Sequence, residues 1–141
     1  MADVAGRFHR QVSIKVNALV DQGIAELVMA LNAFPALQTV ESCEGTKGGP
    51  WVCFTYGDSR ECSWKPIAEF ILEFLAPRLF TAVGDAASIA LRPTVNGTVL
   101  VDLTVRPEGL QSVQKAVLAI AEEFIRARSL ACSGDTSGTV L

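Results

Sequence analysis

The sequence predicts a two-layer α+β fold in which three helices pack on one face of a mostly antiparallel, five-stranded sheet. Short segments alternate between apolar and polar residues, three longer segments repeat apolar residues at helical spacing, and Asn96-Gly97 joins two alternating segments as a hairpin turn would. The predicted element order is β-α-β-β-α-β-β-α. We assign residues 1–128 to a single domain and residues 129–141, rich in Ser, Gly and Thr, to a flexible C-terminal tail.

The first half of the chain carries three strands and one helix. Residues 11–18 alternate as a half-buried strand does, and Asp21 is placed to cap the helix that follows, which should end near Phe34 because a proline comes next. Residues 37–42 and 51–56 are the second and third strands, and the third is central because nearly all its side chains are apolar or aromatic. The apolar stripe of the helix is Ile24, Leu27, Val28 and Leu31.

The second half carries two helices and a hairpin. Pro66 and Pro107 open the helices, and Pro77 should bend or restart the first of them. Residues 87–92 and 98–106 are the hairpin strands, and alternation in the latter leaves one face of the sheet wetter than the other. The apolar stripes of the helices are Ile67, Phe70, Ile71, Phe74 and Leu75 in the first, and Leu110, Val113, Val117, Ile120, Ala121 and Phe124 in the second.

Composition narrows the functional classes. The 141 residues are half hydrophobic, which predicts one well-filled core. The net charge of -3 argues against a basic surface for nucleic acid. No apolar run follows Met1, and no stretch approaches the ~20 apolar residues of a membrane span, so we expect a cytoplasmic protein whose four cysteines are reduced thiols. No motif predicts a cofactor.

The most site-like segment is the loop Glu41-Ser42-Cys43-Glu44-Gly45, which continues to Gly48 and Gly49. It combines carboxylates, a hydroxyl and a thiol with glycines that let a backbone approach a ligand closely. The alternative interpretation is a long hairpin connection that needs flexible residues. Both remain open, since loops often carry function.

Cys43 is the best catalytic candidate in the chain. Its activation would require His9, the single histidine, to fold back onto the loop, or Lys47 or a helix N-terminus nearby. An inert, buried thiol is the more economical interpretation. The spacing of Cys43, Cys53 and Cys62 lacks the close ligand pairs of zinc sites, so no metal is predicted.

Aromatic and polar residues around the third strand extend this candidate site. Trp51, Tyr56 and Trp64 could stack a flat ligand, or they could cover the edge of the core. Asp102, on the wetter face of the sheet, and Arg92 are further ligand-binding candidates.

Several of these residues form a pattern that is similar to two known groups. Lys15, Asp21, Leu31-Asn32, Thr39 and Ser42-Cys43-Glu44-Gly45 resemble the wybutosine-synthesis tRNA methyltransferase family over about residues 15 to 46. The chain looks more like short uncharacterised bacterial and phage proteins that carry a Thr-x-x-Ser-Cys-x-Gly motif before a Trp-Val-x-Phe strand. The first resemblance implies that Ser42, Cys43 and Gly45 lie in a pocket bordered by Lys15 and Asp21. It would also imply S-adenosylmethionine and tRNA as ligands.

The leading hypothesis is therefore a small ligand-binding or regulatory domain, of bacterial or phage type, that holds a small polar molecule or a protein partner. Its ligand-binding candidates are Glu41, Ser42, Cys43, Glu44, Gly45, Lys15, Asp21, Trp51 and Asp102. An RNA-modification enzyme is the second hypothesis. A protein-interaction module is the third, and it includes a homodimer formed through the sheet. The sequence leaves open whether the protein is an enzyme.

Overall fold

Four strands form a continuous antiparallel sheet in the computed structural model, which describes residues 11–13, 19–45, 48–57 and 64–140. They lie in the order β3-β4-β6-β5, and a separate two-stranded ladder joins β1 to β2. The central position predicted for residues 51–56 is confirmed, since β4 lies between β3 and β6. The strands are β1 (Gln11–Ser13), β2 (Leu19–Asp21), β3 (Leu37–Cys43), β4 (Trp51–Tyr56), β5 (Ala87–Pro93) and β6 (Val99–Val105).

The main sheet has four strands among the described residues, whereas the sequence predicts five. The difference lies in the segment 11–18, predicted as one strand of that sheet. Its beginning, Gln11–Ser13, pairs antiparallel with Leu19–Asp21 instead. Within the described residues this segment pairs with β2 and not with any strand of the main sheet. The antiparallel arrangement itself is confirmed for the pairs β3-β4, β4-β6 and β5-β6.

Three helices accompany the sheet. Helix α1 is Ala25–Leu31, preceded by a 3-10 turn at Gln22–Ile24. Helix α2 has α-helical segments at Trp64–Glu69 and Ala76–Val83 with a π-helical segment, Phe70–Leu75, between them, and a 3-10 turn at Gly84–Ala86 follows. Helix α3 is Leu110–Val140, preceded by a 3-10 turn at Pro107–Gly109. Helical backbone thus covers residues predicted as the tail, and the flexibility of 129–141 stays a prediction.

Helix α1 ends at Leu31, earlier than the predicted end near Phe34. The side chain of Asn32 explains this end, because its Nδ2 donates to the carbonyl oxygen of Val28 at 2.8 Å and to Oγ1 of Thr39 at 2.9 Å. The amide N–H of Thr39 donates back to Asn32 Oδ1 at 3.4 Å. Asn32 therefore fastens the end of α1 to the beginning of β3.

The α-helical backbone of α2 restarts at Pro77, as the sequence predicts, because a new α-helical segment begins at Ala76 and has Pro77 in its first turn. A proline inside a helix lacks the N–H that would bond to the carbonyl four residues earlier, and its ring clashes with that carbonyl. The π-helical segment, with its wider turns, immediately precedes the segment that contains Pro77. The guanidinium of Arg78 donates to the carbonyl oxygen of Phe74 at 3.3 Å, which gives one main-chain acceptor in this region a side-chain partner.

The hairpin predicted at Asn96-Gly97 is confirmed, with Ala87 opposite Val105 and Pro93 opposite Val99. Its turn is closed by the Gly97 N–H, which donates to the Thr94 carbonyl at 3.1 Å. Gly97 has a φ of 84°, so it supplies the left-handed conformation that lets a four-residue turn rejoin the ladder.

One hydrophobic cluster lies between the helices and one face of the sheet. Its strand members alternate along β4 and β6, where Val52, Phe54, Val101 and Leu103 are fully buried. The predicted helix stripes are confirmed, since each contributes buried residues to this cluster. The opposite face of the sheet, reached by the alternate residues of the same strands, carries the polar side chains described next.

Candidate functional site

Six residues of interest lie on the face of the sheet that points away from the hydrophobic cluster. We call this surface the open face. Residues directly opposite each other in antiparallel strands point to the same side, and Cys53 is opposite both Glu41 on β3 and Asp102 on β6. Cys43 is likewise opposite Trp51. The open face is defined by Glu41, Cys43, Trp51, Cys53, Arg92 and Asp102.

A β-bulge places Glu41 and Cys43 on this face. Alternation alone would give Thr39 and Glu41 the same side of β3. Thr39, however, is opposite the buried Phe54, whereas Glu41 is opposite Cys53, because the register shifts between Thr39 and Glu41. The extra residue in β3 therefore reverses the sides of everything that follows it.

Arg92 and Asp102 form the most ordered polar group on the open face. The Arg92 Nε lies 2.8 Å from Asp102 Oδ2, and a terminal guanidinium nitrogen lies 3.0 Å from Oδ1. The same nitrogen donates to Cys53 Sγ at 3.5 Å. The side chains of Arg92 and Asp102 remain 53% and 29% exposed, so the two-point ion pair is accessible to a ligand.

The electrostatics of this group keep the Cys53 thiol protonated at neutral pH. Burial, followed by the negative charge of Asp102, raises the pKa of Cys53 to about 11. The hydrogen bond from Arg92 holds the pKa of Asp102 below its usual value. The arrangement therefore presents a carboxylate and a guanidinium, which are suited to binding through hydrogen bonds. The neutral thiol of Cys53 is buried beside them and is unsuited to thiolate chemistry.

Two other predicted site residues, Asp21 and Glu44, hold the loop after β3 against the start of α1. The Glu44 N–H donates to Asp21 Oδ2 at 3.0 Å, and Glu44 Oε1 accepts the Gly23 N–H at 2.9 Å. Gly23 lies in the 3-10 turn that begins α1, so Glu44 supplies the capping oxygen predicted for Asp21. The side chain of Asp21 makes no capping hydrogen bond, and the prediction of that role for Asp21 is wrong.

The glycines of the loop are explained by close packing of its own backbone. Gly45 has a φ of 84°, and a side chain there would overlap the backbone of Gly49 and Pro50. Gly49 has a φ of 87°, and a side chain there would overlap the Val105 carbonyl oxygen. These two positions support the interpretation of the loop as a tight connection. At Gly48 there is open space.

A cavity of about 360 Å³ lies on this side of the loop. It is lined by Gly23, Glu44, Gly45, Gly49, Pro50, Pro107 and Leu110. The predicted site residues are thus divided between two places. Glu41, Cys43, Trp51 and Asp102 share the open face, whereas Asp21, Glu44 and Gly45 lie at the start of α1 or border this cavity.

Ser42 and Lys15 belong to neither group. Ser42 is opposite Val52, which places it on the side of the hydrophobic cluster. Lys15 lies outside the described residues, as does His9, the histidine that a Cys43 nucleophile would require. The Cys43 Sγ accepts the Gly45 N–H at 3.3 Å. The predicted aromatic residues do not lie together either. Trp51 is on the open face, whereas Tyr56 is on the helix side and stacks on Phe70 with 4.0 Å between the ring centroids.

Sequence reasoning missed Cys53 as a member of the site. A central strand with an apolar residue at nearly every position predicts that Cys53 is buried, and it is only 1% exposed. Strict alternation was the available signal, since it separates Cys53 from Val52 and Phe54. Nothing in the sequence indicated the bulge.

Within the described residues, no group of three or more His, Cys, Asp or Glu side chains is arranged to hold a metal ion. In the same part of the chain, no helix has the length and apolar character needed to cross a membrane. Comparison with known proteins found no matching family model, curated protein or solved structure.

Proposed function

We propose that this domain binds a small polar ligand, or a polar segment of a protein partner, on the open face of its sheet. The observation that carries the proposal is the bulge in β3, which brings Glu41 and Cys43 to the side that already holds Trp51 and the Arg92–Asp102 pair. Bulges often re-aim side chains beside functional sites, and a bulge costs ladder hydrogen bonds that a regular strand would keep.

The chemistry of the open face favours a ligand with a flat, polar ring system. Trp51 is half-buried, so part of its indole surface is available for stacking. Glu41 is exposed and can accept hydrogen bonds, while the exposed half of Arg92 can donate them. The ion pair with Asp102 fixes the guanidinium in place before a ligand arrives, which reduces the entropy lost on binding.

Hydrogen bonds at both ends of β3 hold the open face in place. Glu44 and Asp21 tie the end of β3 to the start of α1, and Asn32 with Thr39 ties its beginning to the end of the same helix. A surface held at both ends by side-chain hydrogen bonds keeps its geometry. Composition supports a cytoplasmic setting for this activity, and the short bacterial and phage proteins that the sequence resembles support a source of that type.

A thermal-shift screen tests the proposal. The purified protein is heated with S-adenosylmethionine, nucleotides, common metabolites and divalent metals, because a ligand that binds the folded state raises the melting temperature. The same screen is run on a Glu41→Ala/Cys43→Ala double variant and on a Glu122→Ala control, which changes an exposed residue on α3.

We expect at least one polar, ring-containing compound to stabilise the wild type and the control but not the double variant. Binding should also change the fluorescence of Trp51, with a Trp64→Phe background used to remove the second indole. A stabilising compound whose effect survives the double variant would place its site elsewhere. The absence of any shift would contradict small-ligand binding.

A further inference from the structure

A second cavity, of about 440 Å³, lies where helices α2 and α3 meet the end of β4. Its volume falls within the usual range for ligand sites. None of the open-face residues lines it. Its walls include four aromatic rings and two carboxylates, contributed by Tyr56, Phe70, Phe74, Phe124, Glu69 and Glu73.

The rings form one connected group. Tyr56 stacks parallel to Phe70, with an angle of 2° between the ring planes. Phe124 meets Phe70 and Phe74 edge-on, with centroids 5.5 and 4.9 Å apart. Phe70 is buried, while Tyr56, Phe74 and Phe124 are half-buried and border the opening. These three rings pack against the hydrophobic cluster and keep part of their surface at the opening, where a ligand can contact it.

Two arginines of the chain already lie over these rings. The Cζ of Arg78 is 3.8 Å from the Phe74 centroid, and the Cζ of Arg128 is 5.6 Å from the Phe124 centroid. Both positions are attractive because the face of an aromatic ring is electron-rich. The charge of Arg78 is balanced by Glu123, whose carboxylate lies 2.8 Å from its Nε.

The remaining charges at the cavity favour a positive ligand. Glu69 and Glu73 are exposed and lie one turn apart on α2, and neither forms an ion pair with a described residue. Two cations lie near them, Arg128 over the Phe124 ring and Lys65 one turn before Glu69. Neither of these cations lines the cavity, and Arg78 is paired with Glu123, so the charged side chains among the lining residues are the two carboxylates.

We infer that this cavity binds an alkylammonium group, with the aromatic rings contacting its methyl or methylene surface and Glu69 and Glu73 balancing its charge. Aromatic walls with acidic residues at the rim suit quaternary ammonium groups, which are large, weakly hydrated cations. The group can belong to a free amine such as choline or to a methylated lysine side chain of a protein.

Isothermal titration calorimetry with choline and with its neutral isostere, 3,3-dimethyl-1-butanol, tests the role of charge. The two molecules have the same shape and differ by one nitrogen. We expect choline to bind at least about tenfold more tightly. Equal affinities, or no heat from choline at millimolar concentration, would overturn the inference.

A trimethyllysine peptide and its unmethylated counterpart then identify the source of the group. Tighter binding of the methylated peptide than of choline would assign the site to a protein partner, and the reverse would assign it to a small free amine. Both outcomes support the site. A peptide affinity that does not depend on methylation would contradict it.

Two variants should change the choline affinity in opposite directions, and a third is a control. Glu69→Gln/Glu73→Gln should weaken binding about tenfold, because the balancing charge is lost. Arg128→Gln should strengthen it by about threefold, because a competing cation is removed. Glu26→Gln, which changes an exposed carboxylate on α1 that does not line this cavity, should leave it unchanged. If Glu69, Glu73 and Arg128 had only structural roles, all three variants would bind choline with the same affinity. That result would refute the proposal.

Discussion

Gly45 and Gly48 lie in the same loop, but they should tolerate an added methyl group very differently. At Gly45 the backbone is left-handed and a Cβ would overlap the backbone of Gly49. At Gly48 a Cβ would meet open space. We expect Gly45→Ala to lower the free energy of unfolding by about 2 kcal/mol or more, and Gly48→Ala to change it by less than about 0.5 kcal/mol. Urea unfolding of the two variants measures the difference, and equal effects would show that the loop is not closed at Gly45.

The raised pKa of Cys53 has a predictable effect on its reactivity. Only the thiolate reacts rapidly with alkylating reagents, and a pKa of about 11 leaves very little thiolate at pH 8. Asp102→Asn removes a negative charge that raises this pKa and leaves Arg92 beside the sulfur, so we expect faster alkylation of Cys53 at pH 8. Mass spectrometry of iodoacetamide-treated protein, resolved by cysteine, measures this rate. An unchanged rate in the variant would mean that burial alone protects the thiol.

The same pKa sets the direction of a pH effect on stability. The pKa of Cys53 is 9.0 in its ordinary state and about 11 in the fold, so the unfolded chain loses this proton at lower pH than the folded protein does. The contribution of the neutral, buried thiol is therefore fully present below pH 9 and is lost as pH rises through about 11. Wild type should lose more stability than Cys53→Ala between pH 8 and pH 10.5, as measured by urea unfolding at each pH. Parallel losses in the two proteins would contradict this assignment.

The sequence identified several residues of the site correctly but could not group them. Glu41, Cys43, Trp51 and Asp102 were all candidates, and the register brings them to one face. Glu44 was also a candidate, yet its carboxylate accepts a hydrogen bond from the first turn before α1. Whether a candidate lies on the open face or holds the loop depends on a bulge and on long-range hydrogen bonds. Neither of these leaves a periodic signal in the sequence.

At the scale of elements, the resemblance pattern coincides with the contacts that hold α1 to β3 and its loop. Asn32 and Thr39 bond to each other at one end of this unit, and Asp21 and Glu44 bond at the other. Asn32, Thr39, Asp21 and Glu44 therefore have structural roles in this domain. The binding pocket implied by the methyltransferase resemblance stays a prediction.

Local patterns predicted the elements better than their ends. The hairpin β5-β6 follows from a turn dipeptide between two alternating segments, and both were recognisable. The end of α1 depends instead on the side chain of Asn32 reaching Thr39, and the continuity of α2 depends on a π-helical segment before Pro77. These features arise from contacts beyond the helix itself, which a propensity scale does not contain.

The end of helix α3, beyond Phe124, is expected to contribute little to stability. Among the side chains that the structure describes, Phe124 is the last on α3 that packs against the hydrophobic cluster, and the side chains from 125 to 131 are exposed. We expect removal of residues 132–141 to lower the melting temperature by less than about 2 °C, whereas Phe124→Ala should lower the free energy of unfolding by about 2 kcal/mol or more. Thermal unfolding followed by circular dichroism compares the two. A large loss on truncation would show that the end of α3 packs against the domain.

At the scale of the whole molecule, the two proposed sites occupy opposite sides of the sheet. The open face offers hydrogen-bonding groups around Trp51, and the cavity beside α2 offers aromatic faces and negative charge. β4 connects them, since Cys53 points to the open face while Tyr56 lines the cavity. Because both sites depend on the same strand, loss of the sheet would remove both, whereas surface substitutions should remove one at a time.

The single hydrophobic cluster predicts that helices and sheet unfold together. Leu27 of α1 is fully buried and belongs to the same cluster as Val52 and Phe54 of β4. Leu27→Ala should therefore lower the free energy of unfolding by about 3 kcal/mol, because it removes buried apolar surface and leaves a cavity. The exposed Leu118→Ala on α3 is the matched control and should cost less than about 1 kcal/mol.

Two probes distinguish one cooperative unit from two. In a Trp64→Phe background, fluorescence reports on Trp51 in the sheet, while far-ultraviolet circular dichroism reports on the helices. In urea, both midpoints should fall by the same amount in Leu27→Ala, since a two-state domain shows coincident transitions. If the helical signal were lost first while the environment of Trp51 stayed native, the sheet would be a stable unit by itself. The open face could then bind its ligand without the helices, and the cavity beside α2 could not.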